Sequence, residues 1–320
     1  MNKQQELGHL YQFGLYLQKH PEVVDIFRKK AKFIRNVRNS LDDIGATELE
    51  MPCLQTYREG APVHQFVTTH PLTKDRFYLR HCMEDHLRRV CDSFGKVYEL
   101  GKAFRVEIED EYRANEFTVM EFVGENINYE QGLDIVKNLI LNCVTKTFDK
   151  LMLDNADFSK IYAISFDDLM QKVLGYGIFD AYFREKSLQK LAEVGVQLSA
   201  NVLDWEIYEE LLKHYLEPSI RLPTIIMNFP LALQHVAEID PVKKFAQRFS
   251  LIVKGIEICD GGVKFNNSEQ YKTIYQRNAN YRESQLGIDD NALPKEFFDD
   301  IDRHGTRVFT FGLGIGTVKK

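Results

Sequence analysis

The spacing of apolar and polar positions changes several times along the chain. After Pro21, apolar residues recur at helical spacing as far as Leu41, and the segment closes at Gly45, which predicts a helix that begins at Pro21. The next segment, ATELEMP (46–52), alternates with period two up to Pro52 and predicts a strand. A second helix is predicted around MEDHLRRVCDSFG (83–95), and a long amphipathic helix over 129–153.

The second half of the chain returns to strand character after a helical stretch. Residues 161–215 are predicted to be mostly helical, with breaks at Gly175 and Gly177. Three segments rich in β-branched or aromatic residues follow: PTIIMNFP (223–230), RFSLIVKGIEIC (248–259) and VFTFGLGIG (308–316). Because the helical blocks between strands have irregular lengths, the pattern favours an α+β fold with an antiparallel sheet.

Composition narrows the class of protein. With 320 residues, 44% of them hydrophobic, the chain can bury a substantial core. The formal net charge of −6 disfavours nucleic acid as a charge-driven partner. The five cysteines form no CxxC pair and the nine histidines no HxH or HExxH spacing, so the sequence gives little support for a zinc site. Neither a signal peptide nor a membrane-spanning run is recognised, which predicts a reduced, cytoplasmic protein.

The segment GKAFRVEIEDEYRANEFTVMEF (101–122) predicts a hairpin with charged faces. Residues two apart share a face of a strand, so Arg105 projects with Glu107, and Phe117 projects with Glu121. One such face offers a guanidinium for a phosphate, a carboxylate for an amine and a ring for a base. The alternative is a solvated outer face with cross-strand ion pairs.

The order of segments resembles a known family. ATELEMP, the hairpin and FGLGIG (311–316) resemble, in that order, the three signature motifs of class II aminoacyl-tRNA synthetases. The resemblance is closest to the lysyl-tRNA synthetase branch and its short paralogue, the lysyltransferase that modifies elongation factor P. FYLRHCMEDHLRR (77–89) and VKGIEICDGG (253–262) resemble that branch's amino-acid pocket segments.

The resemblance covers about residues 21–319 and implies a domain organisation. It implies a class II synthetase-like antiparallel sheet flanked by helices over residues 21–320, with a helical insertion at about 161–215. Residues 1–20 would form an N-terminal helical extension. The lysine and aspartate enzymes carry an N-terminal anticodon-binding barrel, and since only about twenty residues precede Pro21, we expect no such domain here.

The same resemblance assigns roles to individual residues. ATP and Mg²⁺ are the implied cofactors. Arg105 would hold the amino-acid carboxylate and the α-phosphate and act as the catalytic residue. The implied ATP-binding residues are Arg105, Glu107, which reads the adenine amine, Arg113, Phe117, which stacks on the ring, and Lys319. The implied magnesium ligand is Glu257. The implied amino-acid pocket consists of Gly60 and Glu84 near the α-amino group, Glu121 at the side-chain ammonium, and Asp260, Gly262 and Lys264.

Several positions depart from the lysine branch. Ser250 stands in place of a second metal-binding glutamate, which weakens metal binding without excluding it. Lys319 stands in place of an arginine that stacks on adenine. Lys264 stands in place of a glutamate, so an ammonium there would meet like charge and ordinary lysine is a doubtful substrate. Glu121 and Lys264 suggest a substrate with both a donor and an acidic or carbonyl group, or an internal Glu–Lys pair.

Three functions are compatible with this pattern. The first is ATP-dependent activation of an amino acid and transfer of the acyl group to a protein lysine or a small-molecule amine, by a homodimer built through motif one. The second is a catalytically degenerate paralogue that acts as a ligand-binding or regulatory protein. The third, charging of tRNA through the acceptor stem alone, predicts steeply salt-dependent binding. Anticodon-reading tRNA binding and a membrane partner are not expected.

Overall fold

One large sheet organises the chain. In the computed structural model, the described residues are 13–106, 108, 113–148, 152–153, 156–199, 201–288 and 293–316. The helices are α1 (Pro21–Asp42), α2 (Glu84–Phe94), α3 (Tyr129–Thr147), α4 (Phe166–Leu174), α5 (Phe183–Glu193), α6 (Asp204–Leu211), α7 (Glu217–Ser219), α8 (Ser268–Leu286) and α9 (Lys295–His304). Residues 13–19 are also helical, Leu212–Leu216 form a π-helix, and Leu231–Leu233 form a 3₁₀ turn.

The strands fall into one eight-stranded sheet and two small ones. They are β1 (Thr47–Glu48), β2 (Leu54–Gln55), β3 (Val67–Thr69), β4 (Arg76–Leu79), β5 (Lys96–Phe104), β6 (Glu116–Glu125), β7 (Met152–Leu153), β8 (Ala156–Asp157), β9 (Tyr162–Ser165), β10 (Thr224–Phe229), β11 (Ala246–Val253), β12 (Ile256–Lys264) and β13 (Val308–Gly314). The large sheet has the order β1-β5-β6-β13-β12-β11-β10-β9. Only its two outermost pairs, β1 with β5 and β9 with β10, are parallel. The predicted α+β fold with an antiparallel sheet is confirmed.

One side of the large sheet is the main hydrophobic core. At neighbouring positions of β6, β13, β12 and β11, this side carries what we call the aromatic row: Phe122, Phe311, Gly261 and Phe249. The ring centroids of Phe122 and Phe311 are 5.1 Å apart, and Phe122 is completely buried. Helices α1 and α3 cover this side with apolar residues such as Val37 and Val136. Burial of such aromatic side chains is the main source of stability here.

A second core surrounds helices α4, α5 and α6. It contains Phe166, Leu191 and Ile207 and packs against strand β10 through Ile226. Residues 161–215 were predicted to be mostly helical, and α4, α5 and α6 lie in this stretch, whereas its first residues form a strand. Residues 162–165 form β9, which pairs in parallel with β10. Four β-compatible residues at the sheet edge are too short a run to show a period of their own.

Helix boundaries agree with the sequence where caps are clear. Helix α1 begins at Pro21, and Gly45 has a φ of +74°, as a residue beyond a helix end often does. Helix α3 begins at a capping box on Asn128. Its predicted extension to residue 153 was wrong, because Phe148 adopts an extended conformation and ends the helix at Thr147.

The strand in ATELEMP (46–52), the segment that resembles motif one, is shorter than its alternation predicts. Only Thr47 and Glu48 pair with β5, although the Leu49 amide still donates to the Tyr98 carbonyl at 2.8 Å. Helices α8 and α9 and the small sheet β2-β4-β3 had no counterpart in the sequence analysis. Among the described residues, no helix is long and apolar enough to cross a membrane.

Candidate functional site

The side of the sheet opposite the aromatic row carries polar groups. Strand register places four residues side by side, which we call the polar row: Glu121, Gly312, Asp260 and Ser250. Among the described residues, the atoms nearest to a Cβ built on Gly312 belong to Glu121 and Asp260, at 3.7 and 3.9 Å. The polar row therefore has a residue without a side chain, Gly312, between two carboxylates.

Arg105 and Phe117 lie together at one end of this side. Phe117 pairs with Ala103 on β5, and the Arg105 amide continues the pairing by donating to the Asn115 carbonyl at 3.0 Å. The Arg105 guanidinium carbon lies 5.2 Å from the centroid of the Phe117 ring. Its Nε is buried, and no group in the described part of the chain accepts a hydrogen bond from it. A cation against a ring, with an unused donor, is an arrangement suited to an anionic ligand that carries an aromatic group.

Two of the expected ATP-binding residues, Glu107 and Lys319, lie outside the described residues. Arg113 is exposed, and its charge acts on Glu217, the first residue of α7. Burial raises the pKa of Glu217 and the nearby Glu209 adds to this, while Arg248 and Arg113 oppose the shift. Arg113 is thus placed near carboxylates at the far end of the polar row from Arg105.

Glu257 lies beside the Ser250 end of the polar row. A register shift between β11 and β12 brings its Oε2 to 2.7 Å from the Ser250 hydroxyl, which donates to it. Burial, followed by the charge of Asp260, raises the pKa of Glu257 to about 7, while Arg248 opposes the rise. The residues fit a magnesium ion, because a divalent cation would relieve this crowding of carboxylates, and Mg²⁺ needs only one or two of them when phosphates and water complete its shell.

Glu121 is a buried carboxyl, and no cation among the described residues forms an ion pair with it. Its Oε2 accepts a hydrogen bond of 2.7 Å from the amide of Met83, the residue before α2. Burial, and next the charge of Glu84, raise the pKa of Glu121 to about 8. A group with this environment favours a bound cation or hydrogen-bond donor beside it.

Glu84 and Lys264 form an ion pair. The Lys264 ammonium lies 2.8 Å from Glu84 Oε2, and the same oxygen accepts a hydrogen bond of 3.0 Å from Thr310. Of the two alternatives for Glu121 and Lys264, an internal pair or a substrate that bridges them, the structure does not show the first, because Lys264 pairs with Glu84 instead. Because the Glu84 carboxylate neutralises the charge of Lys264, we expect Lys264 to repel a substrate ammonium only weakly.

The two pocket glycines serve close packing. A Cβ on Gly60 would lie 2.3 Å from the Tyr275 ring, and a Cβ on Gly262 would lie 2.2 Å from the Gln247 carbonyl oxygen. The Gly60 carbonyl accepts a hydrogen bond of 2.9 Å from Asn278 of α8. Both positions exclude a side chain unless the neighbouring structure shifts.

Two residues in this region were missed from sequence. Arg248 lies next to Gly262 in the strand register, with its guanidinium carbon 4.5 Å from the centroid of the Phe229 ring. Asp85 accepts a hydrogen bond of 2.7 Å from the Tyr275 hydroxyl, and burial, followed by the charge of Glu59, raises its pKa to about 7. Asp85 lies in the predicted helix 83–95 and Arg248 in the predicted strand segment 248–259, but the spacing of residues in these segments does not link either of them to the polar row.

Comparison with known proteins identifies the family. The profile of the family described as "tRNA synthetases class II (D, K and N)" matches residues 9–308. A lysine–tRNA ligase of Gloeobacter violaceus is 29% identical over 311 residues, covering 93% of this chain and 61% of that protein. The corresponding ligase of Mycoplasma genitalium is 32% identical, covering 91% and 60%, and that of Enterococcus faecalis is 27% identical, covering 94% and 61%.

This chain thus spans about three-fifths of the length of these relatives. The matched profile includes the strands of the polar row up to the first residue of β13. The chain belongs to the class II tRNA synthetases of the D, K and N group.

Proposed function

We propose that the chain is an ATP-dependent ligase that activates an amino acid as its adenylate and passes the acyl group to an amine. The observation that carries this proposal is the position of Arg105 against Phe117, on the same side of the sheet as Glu121 and Glu257. ATP would lie over this side, with its adenine at Phe117. The amino acid would lie at the Glu121 end.

The chemistry requires positioning and charge stabilisation more than a protein base. A carboxylate oxygen of the amino acid attacks the α-phosphorus, the bond to the β-phosphate breaks, and pyrophosphate leaves. Arg105 would stabilise the charge that develops on the α-phosphate oxygens. Mg²⁺, held by Glu257 with Asp260 nearby, would neutralise the phosphates. An amine then attacks the acyl carbon, AMP leaves with the bonding electron pair, the amine nitrogen releases a proton to solvent, and an amide remains.

The pocket favours a substrate with a cationic or donating side chain. Glu121 is buried, its pKa is raised, and Lys264 is occupied by Glu84. An ammonium beside Glu121 would restore the ionised carboxylate and relieve this cost. We therefore propose a lysine-like amino acid as a candidate substrate, whereas the sequence alone argued against lysine.

For the acceptor, we propose an amine, either on a protein lysine or on a small molecule. The formal net charge of −6 provides no general attraction for a polyanion such as tRNA. We also propose a homodimer through motif one. Strand β1 is the exposed outer edge of the sheet in that segment, where another chain could pair or pack.

Amino-acid-dependent exchange of pyrophosphate into ATP tests activation directly. A screen over standard and non-standard amino acids should give exchange with at least one that has a cationic side chain. The Arg105→Ala variant should exchange at least about 100-fold more slowly. Exchange in the wild type that is equally fast in this variant would place the phosphates elsewhere.

The second candidate, a ligand-binding or regulatory paralogue, is favoured by the Glu84–Lys264 pair. The pair occupies the carboxylate expected to hold the substrate α-amino group. Absence of exchange with every amino acid, together with saturable binding of one of them to the folded protein, would support this candidate over the ligase.

A further inference from the structure

A group of metal-binding side chains lies beside the amino-acid end of the site. The donor atoms of Glu59, His81 and Cys82 all lie within 4.8 Å of one another. Glu59 precedes Gly60, while His81 and Cys82 follow β4 and lead into α2. Neither the ATP chemistry nor the lysine-branch roles described above use any of these three side chains.

His81 is the most informative member of the group. Only 6% of its surface is exposed, and its Nδ1 touches Glu59 Oε2 without making a hydrogen bond of acceptable geometry. Cys82 Sγ lies 3.8 Å from the other oxygen, Glu59 Oε1. Among the described residues, His81 Nδ1 is thus a buried nitrogen that lies against a carboxylate without a well-formed hydrogen bond, and a further partner for it would lower the free energy of this arrangement.

The Glu59 carboxylate is held in position by its neighbours. Gln55 donates to Oε1 at 2.8 Å, and Gln65 donates to Oε2 at 3.2 Å. The His81 backbone amide also donates to Oε2, at 2.8 Å. Outer contacts of this kind fix the orientation of a metal-binding carboxylate and limit the rearrangement that binding requires.

We propose that Glu59, His81 and Cys82 bind a zinc ion. Zinc takes carboxylate, imidazole and thiolate ligands in tetrahedral geometry at about 2.0–2.3 Å, so that three ligand atoms gather within a few ångströms of one another. The thiolate disfavours Mg²⁺, which keeps this site distinct from the Glu257 end. Binding displaces the thiol proton of Cys82 to solvent. The fourth position takes water or an amine, and it adjoins Gly60 and the amino-acid pocket.

The test is metal binding by the full chain, freed of metal with a chelator and then dialysed. With Zn²⁺ we expect one equivalent to bind, measured by elemental analysis after gel filtration. With Co²⁺ as a probe we expect a thiolate-to-metal charge-transfer band. The Cys82→Ser and His81→Gln variants should lose this band, or bind at least about 10-fold more weakly.

The control is Cys53→Ser, because Cys53 is a free and exposed thiol close in sequence. It should keep both the band and the stoichiometry. Glu59→Gln removes the negative charge and keeps the shape of the side chain. Its one amide oxygen can still accept from Gln65 and the His81 amide, while the acceptor for Gln55 is lost, so metal binding should weaken in a protein whose cooperative melting transition shows that it remains folded. The proposal is overturned if the folded wild type takes up no stoichiometric zinc, or if Cys53→Ser and Cys82→Ser lose the band alike. Neither readout depends on ATP or an amino acid, so this test is independent of the proposed ligase activity.

Discussion

The aromatic row and the polar row occupy neighbouring positions on the same four strands, yet they differ in the polarity of their side chains and of the groups that surround them. Residues of the aromatic row are buried against helices α1 and α3 and have only apolar partners. In the polar row, Glu121 is buried with a raised pKa, and Gly312 lies between the carboxylates of Glu121 and Asp260. The period of two in a strand allows one segment to stabilise the fold on one side and to hold costly, ligand-ready groups on the other.

The largest expected effect is on the aromatic side. Phe122→Ala should lower the free energy of unfolding by about 3–5 kcal/mol, because it removes a completely buried ring and leaves a cavity beside Phe311. Urea denaturation measures the loss. Phe122→Leu is the matched control and should cost clearly less. A loss below about 1 kcal/mol for the alanine variant would mean that packing of the aromatic row contributes little to the free energy of unfolding.

Replacement of Arg105 should have the opposite effect, with a large loss of activity and little change in stability. Arg105→Ala should reduce pyrophosphate exchange by about 10²–10³-fold, as the loss of a charge-stabilising donor does. The free energy of unfolding should stay within about 0.5 kcal/mol of the wild type, because the guanidinium is only half-buried and contacts a single ring. Lys102→Ala is the control: this exposed cation on the same hairpin pairs with Glu116, and its loss should leave exchange unchanged.

Glu121 makes the stability of the protein depend on pH. Its pKa is about 8 in the folded protein against the ordinary 4.5, so between these values the folded state holds a proton that the unfolded chain releases. Wild-type stability should therefore fall as pH rises from about 4.5 to about 8. Glu121→Gln keeps an acceptor for the Met83 amide and lacks this titration.

The variant should be more stable than the wild type near pH 8, by on the order of 3 kcal/mol, and this advantage should vanish near pH 4.5. Denaturation of both proteins at the two pH values measures it. A difference that stays constant with pH would show that the Glu121 carboxyl titrates normally.

The smallest effect concerns selectivity. Lys264→Glu replaces the partner of Glu84 by a second carboxylate, and it should shift preference toward amino acids with a cationic side chain by about 10–100-fold. Competitive exchange assays measure the ratio. Lys272→Glu, which changes an exposed lysine paired with Glu269, should leave the ratio unchanged. An unaltered ratio in Lys264→Glu would remove Lys264 from the pocket.

The sequence predicts local features of the fold well. Alternation located β6, segments rich in β-branched and aromatic residues located β10 and β13, and Pro21 and Gly45 marked α1. Helix α8 was missed because its buried residues are tyrosines and polar groups rather than aliphatic ones, although Asn267 and Gly287 flank it as caps do.

The site could be predicted only in part. Alternation within each strand places Arg105 with Glu107 and Phe117 with Glu121, while the register of the hairpin, which pairs Phe117 with Ala103, places Arg105 on the side of Phe117. The Glu84–Lys264 pair joins residues 180 positions apart and depends on how α2 packs over the sheet. The zinc ligands come from two separate segments, and no regular spacing of cysteine and histidine indicates them.

The most direct test of the account is a crystal structure of the protein with ATP and Mg²⁺. It should place the adenine on the Phe117 ring, the α-phosphate at Arg105 and a metal ion at Glu257. A nucleotide bound away from the polar row, or an Arg105 side chain that stays on Phe117 and leaves the phosphates untouched, would contradict the account.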